Sequence, residues 1–300
     1  MREDDSKLDR PETFSTIAET FESVEQPVGI FQKLWNNAYV RKAVLLIVLA
    51  SAWELYARWL DKPGLFPPLL DRRAEIGTHP EPEELYGVLS AFIGSPDLPR
   101  AALYTITLLL AGYGVGLILA VLLTAFASVS RVGSDLLETL TSMFHPLPSI
   151  ALLPMALIFF PLGDYGIVFV LVHAVVWSVA LNTHAGFRAV SPTWRMVGRN
   201  YGLSPFGYIR RILIPGAFPS ILTGLKTGWA FAWRTVIAAE MVFGSGSGGI
   251  GRFIYSYSNL SRIPEVFAGL LTVILFGLVV EHLVFRTIEN RTVRRWGMEV

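Results

Sequence analysis

Lys226, Arg234 and Glu240 stand in a stretch of about 26 residues that is otherwise as apolar as lipid. Inside a bilayer each ionised side chain costs at least about 2–3 kcal/mol, so such residues face a bundle interior or a water-filled pathway. Two readings stay open: the charges line a path for something polar, or each pairs with a neighbouring helix and holds the bundle together. Helical spacing limits the pairing. Arg234 and Glu240 are six apart, about 240° around a helix, and cannot meet within it, whereas Trp233 and Glu240, seven apart, share a face. The two cations, Lys226 and Arg234, suit contact with an anion.

Other chemistries are excluded or weakened by what the chain lacks. The run Gly244–Gly251 (GSGSGGIG) contains GxGxxG, but that pattern holds a dinucleotide only after a strand and at the start of a helix. Here it follows a membrane-grade helix, and a flexible outer turn that serves as part of a gate is expected. No phosphate-binding G-x-x-x-x-G-K-[ST] occurs; Gly224-Leu-Lys-Thr lacks the glycine before its lysine. There is no cysteine, which removes disulfides, thiolate metal sites and thiol nucleophiles. The five histidines form no HExxH, and His173 and His184 lie about 16 Å apart along one helix. They read as structural, and no metal site is expected. No serine elbow sits in a strand–turn–helix context.

These residues need membrane elements to position them. The chain is 52% apolar and 16% charged, whereas soluble domains carry about 25% charged residues. Six segments are predicted to cross a bilayer: 43–60, 102–127, 140–161 (broken by Pro146, Pro148 and Pro154), 165–187, 217–242 and 266–285. In the first, Glu54 and Arg58 are spaced to pair. Lysines and arginines outside the spans favour one side by 16 to six when both termini are cytoplasmic, the arrangement the positive-inside rule selects. Residues 1–42 form an acidic, solvated tail, and 43–300 a single membrane domain. In the outer loop 61–99 an amphipathic helix near 83–93 is expected along the interface. Trp53, Trp59, Trp177 and Trp296 fall where an aromatic belt would lie. Gly112, Gly114, Gly116, Ala111 and Ala120 in the second span, with Gly224 and Gly228 in the fifth, are small-residue patterns for close helix approach.

The longest basic interruption between spans is residues 191–219, SPTWRMVGRNYGLSPFGYIRRILIPGAFP. Ser191 is placed to N-cap a helix whose first residue is Pro192, and Gly202 to end it in the left-handed conformation. Ser204 and Pro205 repeat the cap for a second short helix, predicted to stop before Pro215. The segment reads as a handle held outside the membrane for another molecule to grip.

Its spacing resembles the signature of permease subunits of ATP-binding-cassette importers: Glu-Ala-Ala, three residues, Gly, nine residues, Ile-x-Leu-Pro. Here Gly202 is followed by nine residues and then Ile212-Leu-Ile-Pro215, while Met196, Val197 and Gly198 stand in place of Glu-Ala-Ala. Two stretches are similar to the nitrate, sulfonate, taurine and bicarbonate branch: His145-PLPSIALLPMALIFFPLG-Asp164, and Trp233-RTVIAAEMVFGSGSGGI-Gly251. The likeness covers about 103–286. It implies an all-α integral membrane protein of about six transmembrane helices, with a type I importer-like permease fold and a cytoplasmic coupling loop at 191–216. Implied as ATPase-coupling residues are Gly202, Leu203, Ser204, Pro205, Arg210, Arg211, Ile212 and Pro215. Trp233, Arg234, Glu240, Lys226 and Pro148 would belong to the translocation pathway. The implied partners are two cytoplasmic ATPase subunits, which bind ATP and Mg, a second permease subunit as a homodimer, an external solute-binding protein and the lipid bilayer. The chain itself would hold no cofactor, bind no nucleic acid and catalyse nothing, and its seat would be the inner (plasma) membrane. A self-contained secondary transporter or channel is the alternative, weakened because no internal repeat is visible; a membrane enzyme has less support still.

Overall fold

A computed structural model describes residues 37–62, 65–71, 87–161, 163–243, 248–295 and 297. Most of the acidic tail, part of the expected 83–93 helix, Gly244–Ser247 and Trp296 lie outside them. The chain divides into two units at Trp59 and Leu60. In the first, α1 (Ala38–Leu60) is apolar on all sides, as a helix surrounded by lipid is. Its Arg58 and Glu54 pair at 2.6 Å.

The second unit is all-helical among the described residues: α2 (Val88–Gly94), α3 (Asp97–Val129), α4 (Arg131–Phe144), α5 (Leu153–Phe159), α6 (Asp164–Ala189), α7 (Pro192–Asn200), α8 (Pro205–Tyr208), α9 (Ile214–Phe243), α10 (Ile250–Asn259), α11 (Ile263–Val279) and α12 (Arg286–Arg291). Among the described residues, four helices are long and apolar enough to cross a membrane: α1, α3, α6 and the continuous α11–α12 rod. The predicted third span is a bent pair, α4 and the Ser149–Phe159 segment, meeting at 85°. The bend falls where Pro146 and Pro148 deny the backbone its donors. The predicted fifth span is α9, 30 residues long. That length reaches about 45 Å, with Lys226, Arg234 and Glu240 interrupting its apolar run.

Helix α6 is the centre of the bundle. Val170, Leu171, Val175 and Ala180 on it are fully buried. On one side α3 runs parallel to it. A Cβ on Gly112 would lie 2.5 Å from Leu171, and one on Gly116 would lie 2.7 Å from Val175. On the other side α9 runs antiparallel, with a Cβ on Gly224 2.9 Å from Asn182 and one on Gly228 3.1 Å from Val179. Both small-residue patterns therefore serve one helix. Gly114 faces no neighbour within 4 Å.

Two expectations change. Trp177 lies midway along α6, stacked on Phe144 of the bent third span with ring centroids 5.2 Å apart, and not at a span end. Helix α2 buries Val88 and Ala91, and Ala91 joins Leu98, Phe253 and Ala268 in a small core, so one side of it meets protein while Leu89 and Ile93 stay exposed. It is anchored from 68–71: Gly87 N–H donates to Asp71 Oδ1 at 2.7 Å and Val88 N–H to the Pro68 carbonyl at 3.0 Å. The Ser90 hydroxyl and the Gly87 N–H together hold the Asp71 carboxyl below the usual carboxylate range.

Gly116→Leu is expected to destabilise the bundle by about 1–3 kcal/mol through overpacking against Val175. Thermal unfolding in detergent reads this as a lowered midpoint, with Gly114→Leu as the control that leaves it unchanged.

Candidate functional site

The chain brings candidate residues together at three levels along α9. At the first level, the predicted caps of the 191–219 segment all form. The Ser191 hydroxyl accepts from Trp194 N–H at 3.4 Å, and α7 starts at Pro192. At its end Gly202 has φ +59°. Leu203 N–H reaches the Gly198 carbonyl at 3.3 Å and Gly202 N–H the Arg199 carbonyl at 3.0 Å, the paired bonds of a Schellman motif. Ser204 Oγ then accepts from Gly207 N–H at 3.2 Å. The second helix does not stop before Pro215, however. A π-helical turn, Ile209–Leu213, carries it into α9. Pro215 and Pro219 have no N–H to give, and widening the turn lets the helix continue where α-geometry alone would leave carbonyls unpartnered.

Gly198 stands where the second alanine of Glu-Ala-Ala would be, and a Cβ there would lie 2.7 Å from the Tyr208 ring, so α7 and α8 close tightly on each other. Around this fold Trp194, Met196, Tyr201 and Phe206 are exposed, as are Gly202, Ser204, Arg210 and Arg211, while Leu203, Ile212 and Pro215 are half-buried. Arg195 fastens the segment to the bundle. Its guanidinium donates to the Phe187 carbonyl at 2.6 Å and the Val190 carbonyl at 3.0 Å, covering the open end of α6.

The second level is a cavity of about 300 Å³ between the broken third span, α6 and α9. Arg234 and Pro148 line it together with His145, His173, Trp177 and Thr235. Arg234 lies over the Phe231 ring at 5.9 Å and forms no ion pair among the described residues. His173 Nδ1 is hydrogen-bonded to Ser149 at 3.2 Å, and its Nε2 and the Trp177 indole N–H have no partner. The cavity is thus lined by one unused indole donor, an unpartnered imidazole nitrogen and one uncompensated cation.

Lys226, Trp233 and Glu240 lie elsewhere. Lys226 is bound to Glu289 at 2.7 Å and sits 3.8 Å from Glu281. Trp233 is buried against Phe276, with ring centroids 4.8 Å apart. Glu240, 3% exposed, forms the third level. Its carboxylate accepts from the Thr105 hydroxyl at 2.8 Å and from Gly251 N–H at 2.9 Å, while Thr105 Oγ1 accepts from Ile250 N–H at 2.8 Å. One carboxylate and one hydroxyl thereby tie α3, α9 and α10 at a single point, and Tyr104 donates to Asp164 of α6 beside it.

The glycine-rich turn, expected to be flexible, is fixed at its described end by this clasp. A Cβ on Gly249 would fall 1.9 Å from Glu240 Oε1, and one on Gly251 2.2 Å from the Ile237 carbonyl. Only glycine lets the backbone come this near. Thr105 carries no mark of this role in the sequence. It lies far along the chain from Glu240, and a lone hydroxyl in an apolar span reads as bonding back to its own helix.

Glu240→Gln places an amide donor where Gly251 N–H and the Thr105 hydroxyl both need acceptors. It is expected to cost about 1–3 kcal/mol in thermal unfolding. Protease cleavage within 244–251 is expected to accelerate relative to wild type.

Comparisons with known proteins agree with this architecture. The family model described as binding-protein-dependent transport system inner membrane component matches residues 112–292. The chain is 30% identical over 260 residues to the nitrate import permease protein NrtB of Synechocystis sp., covering 84% of this chain and 88% of that one. To the taurine transport system permease protein TauC of Escherichia coli it is 25% identical, covering 85% and 89%. The bicarbonate transport system permease protein CmpB of Synechococcus elongatus is 26% identical, over 58% and 62%. Among solved structures, an amino acid ABC transporter matches 70% of this chain and 99% of its own at TM-score 0.53 and 18% identity. The MetNI methionine ABC transporter in an inward facing conformation matches 66% and 95% at TM-score 0.50 and 17% identity; both likenesses bear on the fold alone. With more than half its length matched, the chain belongs to the family of inner membrane components of binding-protein-dependent transport systems, the permease subunits of ABC importers.

Proposed function

We propose that this chain forms the membrane pathway of an ATP-driven importer for a small anion, and that residues 191–216 couple it to separate ATPase subunits. The observation that carries the reading is the doubly capped α7–α8 element. Its exposed Trp194, Met196, Tyr201 and Phe206, flanked by Arg210 and Arg211, make an apolar, cationic knob suited to a cleft in a soluble partner. Met196, 56% exposed where the family pattern has glutamate, makes that contact apolar where the glutamate would carry charge.

In this reading Gly202 is the hinge residue, and Leu203, Ser204, Pro205, Ile212 and Pro215 shape the inserted helix. Both termini and the knob face the cytoplasm, two copies of the chain stand side by side, and two ATPases bind ATP and Mg. An external binding protein delivers the solute. The chain carries no catalytic group of its own; closure of the ATPases shifts it between inward-open and outward-open states by contacts that differ in the two.

Arg234 and Pro148 lie on the pathway. The uncompensated guanidinium, with the free Trp177 indole N–H beside it, favours an anion. The names of the relatives, which include nitrate, bicarbonate and taurine, support the same class. Trp233, Glu240 and Lys226 act on the pathway from behind, by holding the helices that frame it.

Gly202→Pro tests the coupling. Proline locks φ at about −65°, whereas Gly202 has φ +59°. The substitution also removes the N–H that bonds to Arg199. Co-purified ATPase is expected to fall to background while membrane insertion persists; uptake at the wild-type rate would refute the reading. Arg234→Gln is expected to cut uptake by about tenfold or more in proteoliposomes with the ATPase still bound.

A further inference from the structure

A second cavity, of about 380 Å³, opens at the arginine-rich end of the bundle, where the end of α3 turns into α4 and the end of α6 turns into α7. Arg131, Arg188 and Arg195 line it with Ser134, His184 and Leu213. Their charge is poorly matched. Glu138 pairs with Arg188 and stands 3.8 Å from His184 Nε2. The Arg195 guanidinium donates to neutral backbone carbonyls, which leave its charge in place. Arg131 is exposed and forms no ion pair among the described residues.

The back wall adds a buried polar group. His184 is 7% exposed; its Nε2 is hydrogen-bonded to Ser134 Oγ at 3.0 Å, and its Nδ1 has no partner. The first turn of α4 adds a backbone donor. Ser130 Oγ takes the N–H of Gly133 and the Ser130 carbonyl that of Ser134, so the N–H of Arg131, itself in the lining, has no partner within the helix. A space with two uncompensated guanidiniums, a helix start and an orphaned buried imidazole nitrogen fits an anion with several acceptor oxygens.

We propose that this cavity is a binding site for a phosphate-class oxyanion, separate from the solute pathway at Arg234. The same chemistry is offered by free phosphate and by the headgroup of an anionic phospholipid, and the site lies on the side assigned above to the cytoplasm. Its occupant would touch α4, the end of α6, Arg195 of α7 and Leu213 of the π-helical turn. It would therefore bridge the bundle to the segment that joins α8 to α9, and its presence would bias how that segment sits.

The test uses the full-length permease without ATPase, so that no nucleotide site contributes. Inorganic phosphate is titrated into protein held in phosphatidylcholine nanodiscs, and bound lipid is counted by native mass spectrometry after reconstitution in mixed phosphatidylglycerol and phosphatidylcholine. Arg131→Gln, at an exposed position, is expected to weaken phosphate binding by about tenfold or more, or to remove the retained phosphatidylglycerol, with the thermal midpoint in the absence of ligand unchanged. Loss in the phosphate arm assigns the site to a free oxyanion; loss in the lipid arm alone assigns it to a headgroup. The proposal is overturned if neither ligand binds the wild-type protein. It is equally overturned if Arg131→Gln leaves both unchanged, or if Arg234→Gln is the variant that abolishes binding. Uptake does not enter the readout, so failure here leaves the importer reading standing.

Discussion

The structure depends on how closely two helices can approach α6. Lipid supplies no hydrophobic drive for helices to associate, so contact must come from dispersion between well-fitted surfaces. Glycines on α3 and α9 provide that fit from opposite sides. They place Leu171 and Val175 against one backbone and Val179 and Asn182 against the other. Because α3 is parallel and α9 antiparallel to α6, the three helices bring Thr105, Asp164 and Glu240 to one end of the bundle and Ser134, Arg188 and Leu213 toward the other. The clasp and both cavities lie around this three-helix unit.

Within it, the three charges of α9 are handled in three ways. Lys226 meets opposite charge at Glu289 of α12. Glu240 is buried without a cation, its carboxylate satisfied by a hydroxyl and a backbone N–H. Such directional bonds hold a turn to two helices at one fixed geometry, which an apolar contact would not. Arg234, without an ion pair among the described residues, faces the cavity beside the broken third span. The spacing that keeps these residues from meeting one another is what lets each serve a different level of the same helix.

Much of this was legible in the residues, and what was not has a physical cause. Capping is local, so Ser191, Pro192, Gly202 and Ser204 announced their geometry directly. The small-residue patterns announced close packing but not its target, since nothing in the spacing of Gly112 and Gly116 says that the facing helix is α6. The end predicted before Pro215 failed because proline forbids an α-hydrogen bond, not a helix: a π turn accommodates it. Glu240 and Trp233 share a face in the sequence, yet the face is divided between α11 and the Thr105 clasp, and the clasp depends on a residue remote in the chain. Arg195 is, by sequence, one of several positive charges in 191–219; its bonds to the end of α6 follow from where α7 turns back, which no local pattern encodes.

The unbroken passage from α8 through the π turn into α9 has a mechanical consequence. With no loop between them, the short exposed helix and the long rod behind it form one lever, whose base is the knob and whose tip carries Glu240. Over a length of about 45 Å, a tilt of about 10° at the base displaces the tip by about 8 Å, more than any hydrogen bond tolerates. A swing of that size would break the bonds to Thr105 and Gly251 unless α3 and α10 travelled with it. In the coupling proposed above, the bonds of Glu240 to Thr105 and Gly251 would act as the latch of that lever, their strength setting how far a push on one face of the membrane could move the other.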